Sequence, residues 1–307
     1  MLLEPRADAN SSGTSLVNIL DVSDPASLVQ VQNFTFTLDG PGTVPDRQEA
    51  PHPHQTVLDP TGAFLLVPDL GADLVRIFAT SADGTVEMLD PLPVEPGSGP
   101  RHIAFAERDG TIMYLISELS NTISAWKVGY GEGTIEFEEM FIISTHGGCR
   151  KVPEGASASE ILVSVSTSPS SNLALSGILS RGQKTNTSPF PSLTQPDGKF
   201  LTISSRNESA YTIPHPTSPD EDDIPSDTLV TFAIGEAGEL TLVQKTASGG
   251  LGPRHFSFSE AGDLVAVGLQ SDQRVVVMRR DVKTGKVGDI VAAVDVEGDV
   301  TCVVFDE

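Results

Sequence analysis

The chain has 307 residues, 28 of them Gly and 22 Pro, and a formal charge of −23 at pH 7. An acidic surface without any basic run repels a phosphate backbone and an anionic bilayer alike, so neither nucleic acid nor a membrane is expected as a partner. Two cysteines, Cys149 and Cys302, cannot staple a chain of this length, and neither has a metal-ligand spacing.

From the N-terminus, Met1 to Ser15 carries Glu4, Arg6 and Asp8 and has no apolar core, so it does not read as a signal peptide. No run of 18 apolar residues follows. The expected location is cytoplasmic. A secreted protein is the alternative if the true N-terminus lies upstream, and the Asn-x-Ser/Thr triplets at Asn10, Asn33, Asn186 and Asn207 lean weakly that way.

Strands are then expected in a repeating order. A partial unit covers residues 10 to 38, NSSGTSLVNILDV through NFTFTL. His54 opens HQTVLDPTGAFLLVPDLGADLVRIF, and Arg101 opens RHIAFAERDGTIMYLISELSNTISAWKV. The next unit is split into SEILVS, PDGKFLTISSRNES and DTLVTFAI. Arg254 opens RHFSFSEAGDLVAVGLQSDQRVVVMRRD, and a lone strand, TCVVF, closes the chain. Each unit runs from an alternating strand through a Gly turn (PTG, RDG, PDG, EAG) to a hydrophobic strand, a polar loop and a second strand. Gly62 and Gly110 lie 48 residues apart, the length of one four-stranded blade in a radial array. A β-sandwich also has short strands, but it does not require the same loop chemistry at each recurrence. The expected fold is therefore an all-β propeller forming one domain over residues 1–307, with about five blades, either as a five-bladed ring or as a piece that begins inside a larger one.

Gly110 and Gly198 are 88 residues apart, and the surplus is rich in Ser, Thr and Pro. Removing residues 165–195 leaves EILVSPDGKFLTISSRN, which matches the other units without a seam. This segment reads as a long surface loop or a translated intron, since Val165-Ser166 and Leu193 to Gln195 can be encoded by donor-like and acceptor-like bases. No function is assigned to it.

Polar residues fall where the units predict strand starts and loops, which in a propeller converge on one end of the channel. His54, Arg101, Glu118 and Arg206 are expected to meet there: an imidazole and a carboxylate to exchange a proton, and two guanidiniums to hold carboxylate or phosphate. His102, Asp69, Asn121, Arg254, His255 and Gln270 are the accompanying candidates for substrate binding. Structural readings compete at each position. A Gly-Pro-Arg-His turn can brace the neighbouring blade, Glu118 alone reads as a solvated loop acid, His52 as a turn residue, and Asp69 and Asp73 as turn caps. His52 and His54 are two apart, but Pro53 and the lack of a third ligand nearby argue against zinc. There is no Gly-x-Ser-x-Gly elbow, phosphate-cradling Gly-Lys-Ser/Thr loop or His-Glu-x-x-His.

Five pieces carry a resemblance: HPHQTVLDPTGAFLLVPDLGADLVRIF, GSGPRHIAF, SELSNTISAW, PDGKFLTISSRN and GPRHFSFSEAGDLVAVGLQSDQRVVV. In these the chain resembles the seven-bladed propeller lactonases, which include bacterial 6-phosphogluconolactonase and fungal 3-carboxy-cis,cis-muconate lactonizing enzyme. The resemblance implies His54, Arg101, Glu118 and Arg206 as the catalytic group, with the arginines on substrate carboxylates and His54 or Glu118 handling the proton. It also implies no metal or organic cofactor. The expected activity is hydrolysis of a sugar lactone or lactonization of a carboxymuconate, on a small anionic lactone or carboxylate. A non-catalytic binding propeller and an inactive truncated relative are the alternatives.

Overall fold

The structure, a computed structural model, describes residues 2–6, 15–24, 26–106, 111–148, 151–165, 196–218 and 220–306. The segment read as an insertion lies outside the described residues, apart from the backbone of Val165. Among the described residues there is no helix, and so none long and apolar enough to cross a membrane.

Five antiparallel sheets follow one another as blades. Blade 1 has three strands, Leu2–Arg6, Ser15–Asp21 and Val29–Phe36. Blade 2 has Val57–Leu58, Phe64–Asp69 and Leu74–Thr80, with an outer edge split into Val86–Met88 and Leu92–Pro93. Blade 3 is Pro100–Phe105, Ile112–Ser117, Thr122–Tyr130 and Ile135–Ser144. Blade 4 is Ser157–Val165, Pro196–Arg206, Thr228–Ile234 and Leu240–Ala247, with a hairpin of Tyr211–Ile213 and Ile224–Ser226 on its loop. Blade 5 is Pro253–Phe258, Leu264–Leu269, Arg274–Arg280 and Val287–Asp295. In blade 4, Val165 pairs with Pro196 and Ser157 with Arg206, so the strand carrying Arg206 remains in its blade.

The second strands FLLVPD and IMYLIS are buried at every residue, because blades 2 and 3 each pack against a blade on either side. Four apolar clusters sit between consecutive blades. Val17, Ile19 and Phe36 meet Leu65, Val67 and Phe78, and Leu66 and Ile77 meet Ile103, Met113 and Leu115. Ile116 and Ile123 meet Ile161, Ile203 and Phe232, and Leu229 meets Phe256, Val267 and Val276. Burying a side chain of this size contributes roughly 1.5–3 kcal/mol, so the inter-blade seams hold the array together. The expected turn glycines Gly62, Gly198 and Gly262 have φ of 73°, 68° and 71°.

Strand register sorts the polar residues into rings. Pro53 pairs with Asp69, Pro100 with Ser117, Ala158 with Ser205, and Pro253 with Leu269. The next residue in each blade falls at a register shift in blades 3, 4 and 5, and these residues are His54, Arg101, Ser159 and Arg254. One residue further along are Gln55, His102, Glu160 and His255. The residues that come next after the partners Asp69, Ser117, Ser205 and Leu269 are Leu70, Glu118, Arg206 and Gln270. Repetition of one blade therefore places equivalent side chains around one mouth of the channel.

Candidate functional site

Arg101, 1% exposed, is held between two blades. One Nη donates to the carbonyl of Ser159 in blade 4, whose Oγ in turn donates to the carbonyl of Arg254 in blade 5 at 2.8 Å. Its Nε lies 2.7 Å from Oε2 of Glu118. The other carboxylate oxygen, Oε1, receives Arg47 Nη2 at 2.5 Å and faces Arg206 Nη2 at 3.1 Å. Burial alone would raise the Glu118 carboxyl, but the guanidiniums of Arg101 and Arg206 and the hydrogen bond from Arg47 overturn this and hold it at about 2. Glu118 is thus a fixed anion among three cations. Arg101 itself is lowered to about 10 by burial, against the pull of Glu118, and stays charged.

The entry to Arg101 is built by a turn. Asp73, with φ of 50°, accepts the backbone N–H groups of Gly97 at 2.6 Å and Gly99 at 2.9 Å. Gly99 has φ of 63°, and a Cβ there would lie 2.5 Å from Leu119 Cγ. The Gly-Pro-Arg-His turn is therefore both a structural device and the route by which Arg101 enters the cavity.

His54 stands on the other wall. Its backbone N–H donates to Pro68 at 2.9 Å, and its Nδ1 lies 3.1 Å from Nε2 of His102. Burial, then Arg101 and His102, push the His54 imidazole well below its ordinary value, so it is neutral near pH 7. His102 is lowered in the same way, first by burial and then by Arg101. Its Nδ1 lies 2.6 Å from Oε1 of Glu160, a carboxyl only 2% exposed.

His54, Arg101, Glu118, Arg206 and Arg254 line one cavity of about 300 Å³, together with Arg47, Asp46, Glu49, His52, Pro53 and Leu70. A second cavity of about 270 Å³ shares the Arg47, Glu118 and Arg206 wall. The other candidates lie elsewhere. His102 backs His54, and His255 is 3.5 Å from Glu160 Oε2. Gln270 Oε1 accepts from Arg254 at 3.3 Å, steadying that guanidinium.

Asp69 and Asn121 do not reach the cavity wall. The Asp69 carboxylate is fully buried, accepting the His52 N–H at 2.6 Å and two Arg76 nitrogens at 2.9 and 2.6 Å. Asn121, with φ of 53°, donates to Ala156 and accepts from Ala158, both at 2.8 Å, stitching blade 3 to blade 4. Among the described residues, no group of three or more His, Cys, Asp or Glu side chains is arranged to hold a metal ion.

Sequence reasoning missed Arg47 and Glu160. Arg47 comes from the connection ahead of blade 2, which has no counterpart in the other units, so no repeat could reveal it. Glu160 could have been found: Ser159-Glu160 in SEILVS occupies the place of Arg-His in the two GPRH units.

The chain matches the family model "Lactonase, 7-bladed beta-propeller" over residues 8–168 and 193–305. The unmatched stretch between them falls inside the segment 165–195. A protein of Arthroderma benhamiae named "Probable 6-phosphogluconolactonase" is 30% identical over 280 residues, covering 90% of this chain and 59% of that protein. A 6-phosphogluconolactonase of Formosa agariphila is 27% identical over 285 residues, covering 91% and 65%. Among solved structures, a Lactobacillus plantarum protein superposes with a TM-score of 0.68 at 25% identity, covering 94% of this chain and 67% of that one. The periplasmic gluconolactonase of Pseudomonas aeruginosa does so with a TM-score of 0.65 at 26% identity, covering 93% and 64%. The chain spans about six-tenths of the length of the curated relatives it matches. With the blades, their register and the match over most of its residues in agreement, the chain belongs to the seven-bladed β-propeller lactonase family.

Proposed function

We propose that this propeller domain, residues 1–307, hydrolyses a small lactone bearing a carboxylate or phosphate. One observation carries the reading: a single cavity brings a neutral imidazole, His54, against four arginines in a chain whose formal charge is −23. Four arginines against the three carboxylates of Asp46, Glu49 and Glu118 leave the cavity wall net positive in a net negative molecule, which a neutral ligand would not need. The names of the relatives support hydrolysis over ring closure by cycloisomerisation.

In this reading Arg206 and Arg254 hold the anionic group of the substrate. Arg101 lies beside the reacting carbonyl, where a guanidinium stabilises charge developing on oxygen. His54 accepts a proton as water adds to the lactone carbonyl, forming the new C–O bond. The acyl–oxygen bond of the ring then breaks, and the departing alkoxide takes the proton back from His54. Glu118, held at about 2, remains ionised and keeps Arg101, Arg206 and Arg47 in place. Between the two proton handlers that the resemblance allows, this charge state favours His54.

The test is turnover of 6-phosphogluconolactone and of carboxylated lactones and muconates by purified protein, with Arg206→Ala beside it. The expected result is hydrolysis above the spontaneous rate, with KM raised roughly tenfold or more in the variant, the loss of about one charge-assisted hydrogen bond. Absence of turnover on every anionic lactone would overturn the reading. Binding of the same anions without turnover would favour a binding propeller, and turnover of muconates alone would favour cycloisomerisation.

A further inference from the structure

Behind the cavity a chain of polar side chains leads from His54 to His102, Glu160 and His255, which occupy equivalent positions in successive blades. His54 Nδ1 meets His102 Nε2 at 3.1 Å, and His102 Nδ1 meets Glu160 Oε1 at 2.6 Å. Glu160 Oε2 lies 3.5 Å from His255 Nε2, and His255 Nδ1 accepts the backbone N–H of Val303 at 3.3 Å. His255 therefore carries its proton on Nε2, toward the carboxylate. Glu160 also accepts the N–H of Ile161 at 3.0 Å. An anion at Glu160 has the partners it requires, all of them donors.

We propose that Glu160 and His102 are positioning residues forming a buried relay, which sets the tautomer of His54 and takes up the proton that His54 receives. The inference rests on reading His54 as the base. The tautomers follow from donor counting. An ionised carboxylate only accepts, so His102 carries its proton on Nδ1 and its Nε2 accepts. His54 must then carry its proton on Nδ1, which leaves Nε2 with a lone pair in a residue that lines the cavity.

When Nε2 takes a proton from water, the Nδ1 proton of His54 can pass to His102 Nε2 and that of His102 to Glu160 Oε1. One proton enters at the cavity end and one arrives on the carboxylate, so no imidazolium remains. The surroundings favour that outcome. His54 is faced by Arg101, His102 and Arg254, opposed by Glu118, with Arg47, Asp46, Glu49 and His52 on the same cavity. Glu160 is faced by His102, His255 and Arg101, and the Cys302 thiol of the C-terminal segment feels its charge. Burial raises the Glu160 carboxyl to about 7, against the pull of His255 and Arg101, which places it within reach of an imidazole proton. Nothing in the proton handling at the cavity wall requires a buried carboxyl at this depth, whereas the relay uses it.

Two measurements test the relay separately from the lactone reading. Side-chain ¹⁵N NMR of the intact protein at pH 8 should show His54 protonated on Nδ1, and His102→Phe should move it to the Nε2-protonated form. An Nε2-protonated His54 in the wild type, or no change in His102→Phe, overturns the relay whether or not any lactone is turned over. In the kinetic arm, Glu160→Gln keeps an acceptor for His102 but cannot accept a proton. Its kcat should fall roughly tenfold or more, part of the 10²–10⁴ a general base supplies, with KM within about twofold. The acid limb of its pH profile, near pH 7 in the wild type, should move down by at least about one pH unit. A wild-type limb retained in Glu160→Gln overturns the proton uptake. Wild-type protein with the stated tautomer and no turnover of any anionic lactone sinks the function and leaves the His54 tautomer assignment standing.

Discussion

Glu118 is 4% exposed and holds three guanidiniums, which makes it the residue whose loss the site tolerates least. A carboxyl at about 2 in the folded chain against 4.5 in its ordinary state contributes on the order of 3 kcal/mol, fully present above pH 4.5 and lost as pH falls through 2. Glu118→Gln leaves buried guanidiniums facing one another, so unfolding by urea near pH 7 should show a loss of about 3 kcal/mol. The gap between wild type and variant should narrow between pH 4.5 and 2; a gap constant over that window would remove the ion-pair account. Glu160 has the opposite sign. Its carboxyl is raised to about 7, so the folded chain holds a proton that the unfolded chain has released, and its contribution to stability declines as pH rises from 4.5 through 7.

At the scale of the element, each site residue is aimed by the loop before or after its strand, and the loops are pinned by acids. Asp73 holds the approach to Arg101, and Asp227 accepts the N–H groups of Asn207 at 3.1 Å and Gly252 at 2.8 Å, so it pins both the exit from Arg206 and the approach to Arg254. Gly99 is the tightest point. Ala there combines a positive φ with a Cβ 2.5 Å from Leu119, and should cost roughly 2 kcal/mol of stability. On the proposed role of Arg101 beside the reacting carbonyl, its displacement by about an ångström should lower kcat/KM up to about 10²-fold. Thermal melts and kinetics of Gly99→Ala check both, and an unchanged kcat/KM would show that Arg101 does not act through this turn. Asp69 and Asn121 belong to the same class of loop-pinning groups, which explains why polar residues at recurrent loop positions looked like ligands in the sequence.

The molecule as a whole carries −23 on a fold joined by apolar seams between blades. Self-repulsion of that charge opposes the compact state, and salt screens it: the Debye length falls from roughly 30 Å at 0.01 M to roughly 8 Å at 0.15 M. Tm measured calorimetrically should therefore rise by a few degrees over that range of sodium chloride. A Tm that falls instead would mean that local pairs such as Glu118 with its arginines, and not the net charge, dominate the salt response.

The sequence by itself determined the blades. Turn glycines, apolar second strands and equal loop chemistry are local or periodic features, and they set strand, register and repeat before any long-range contact is made. That His54, Arg101, Glu118 and Arg206 line one cavity was legible for the same reason, since equivalent positions of stacked repeats converge. The tertiary structure decided what periodicity does not encode. Arg47 reaches the cavity from a connection outside the repeat. Glu160 stands in the place of a histidine, and its meaning comes from facing His102 and His255 across two blade boundaries. The charge states of Glu118 and Glu160 diverge although both are buried glutamates, because the guanidiniums around the first overturn the effect of burial, whereas at the second burial outweighs the pull of His255 and Arg101. A carboxyl's proton is governed by its neighbours in space, and only the folded array of blades supplies them.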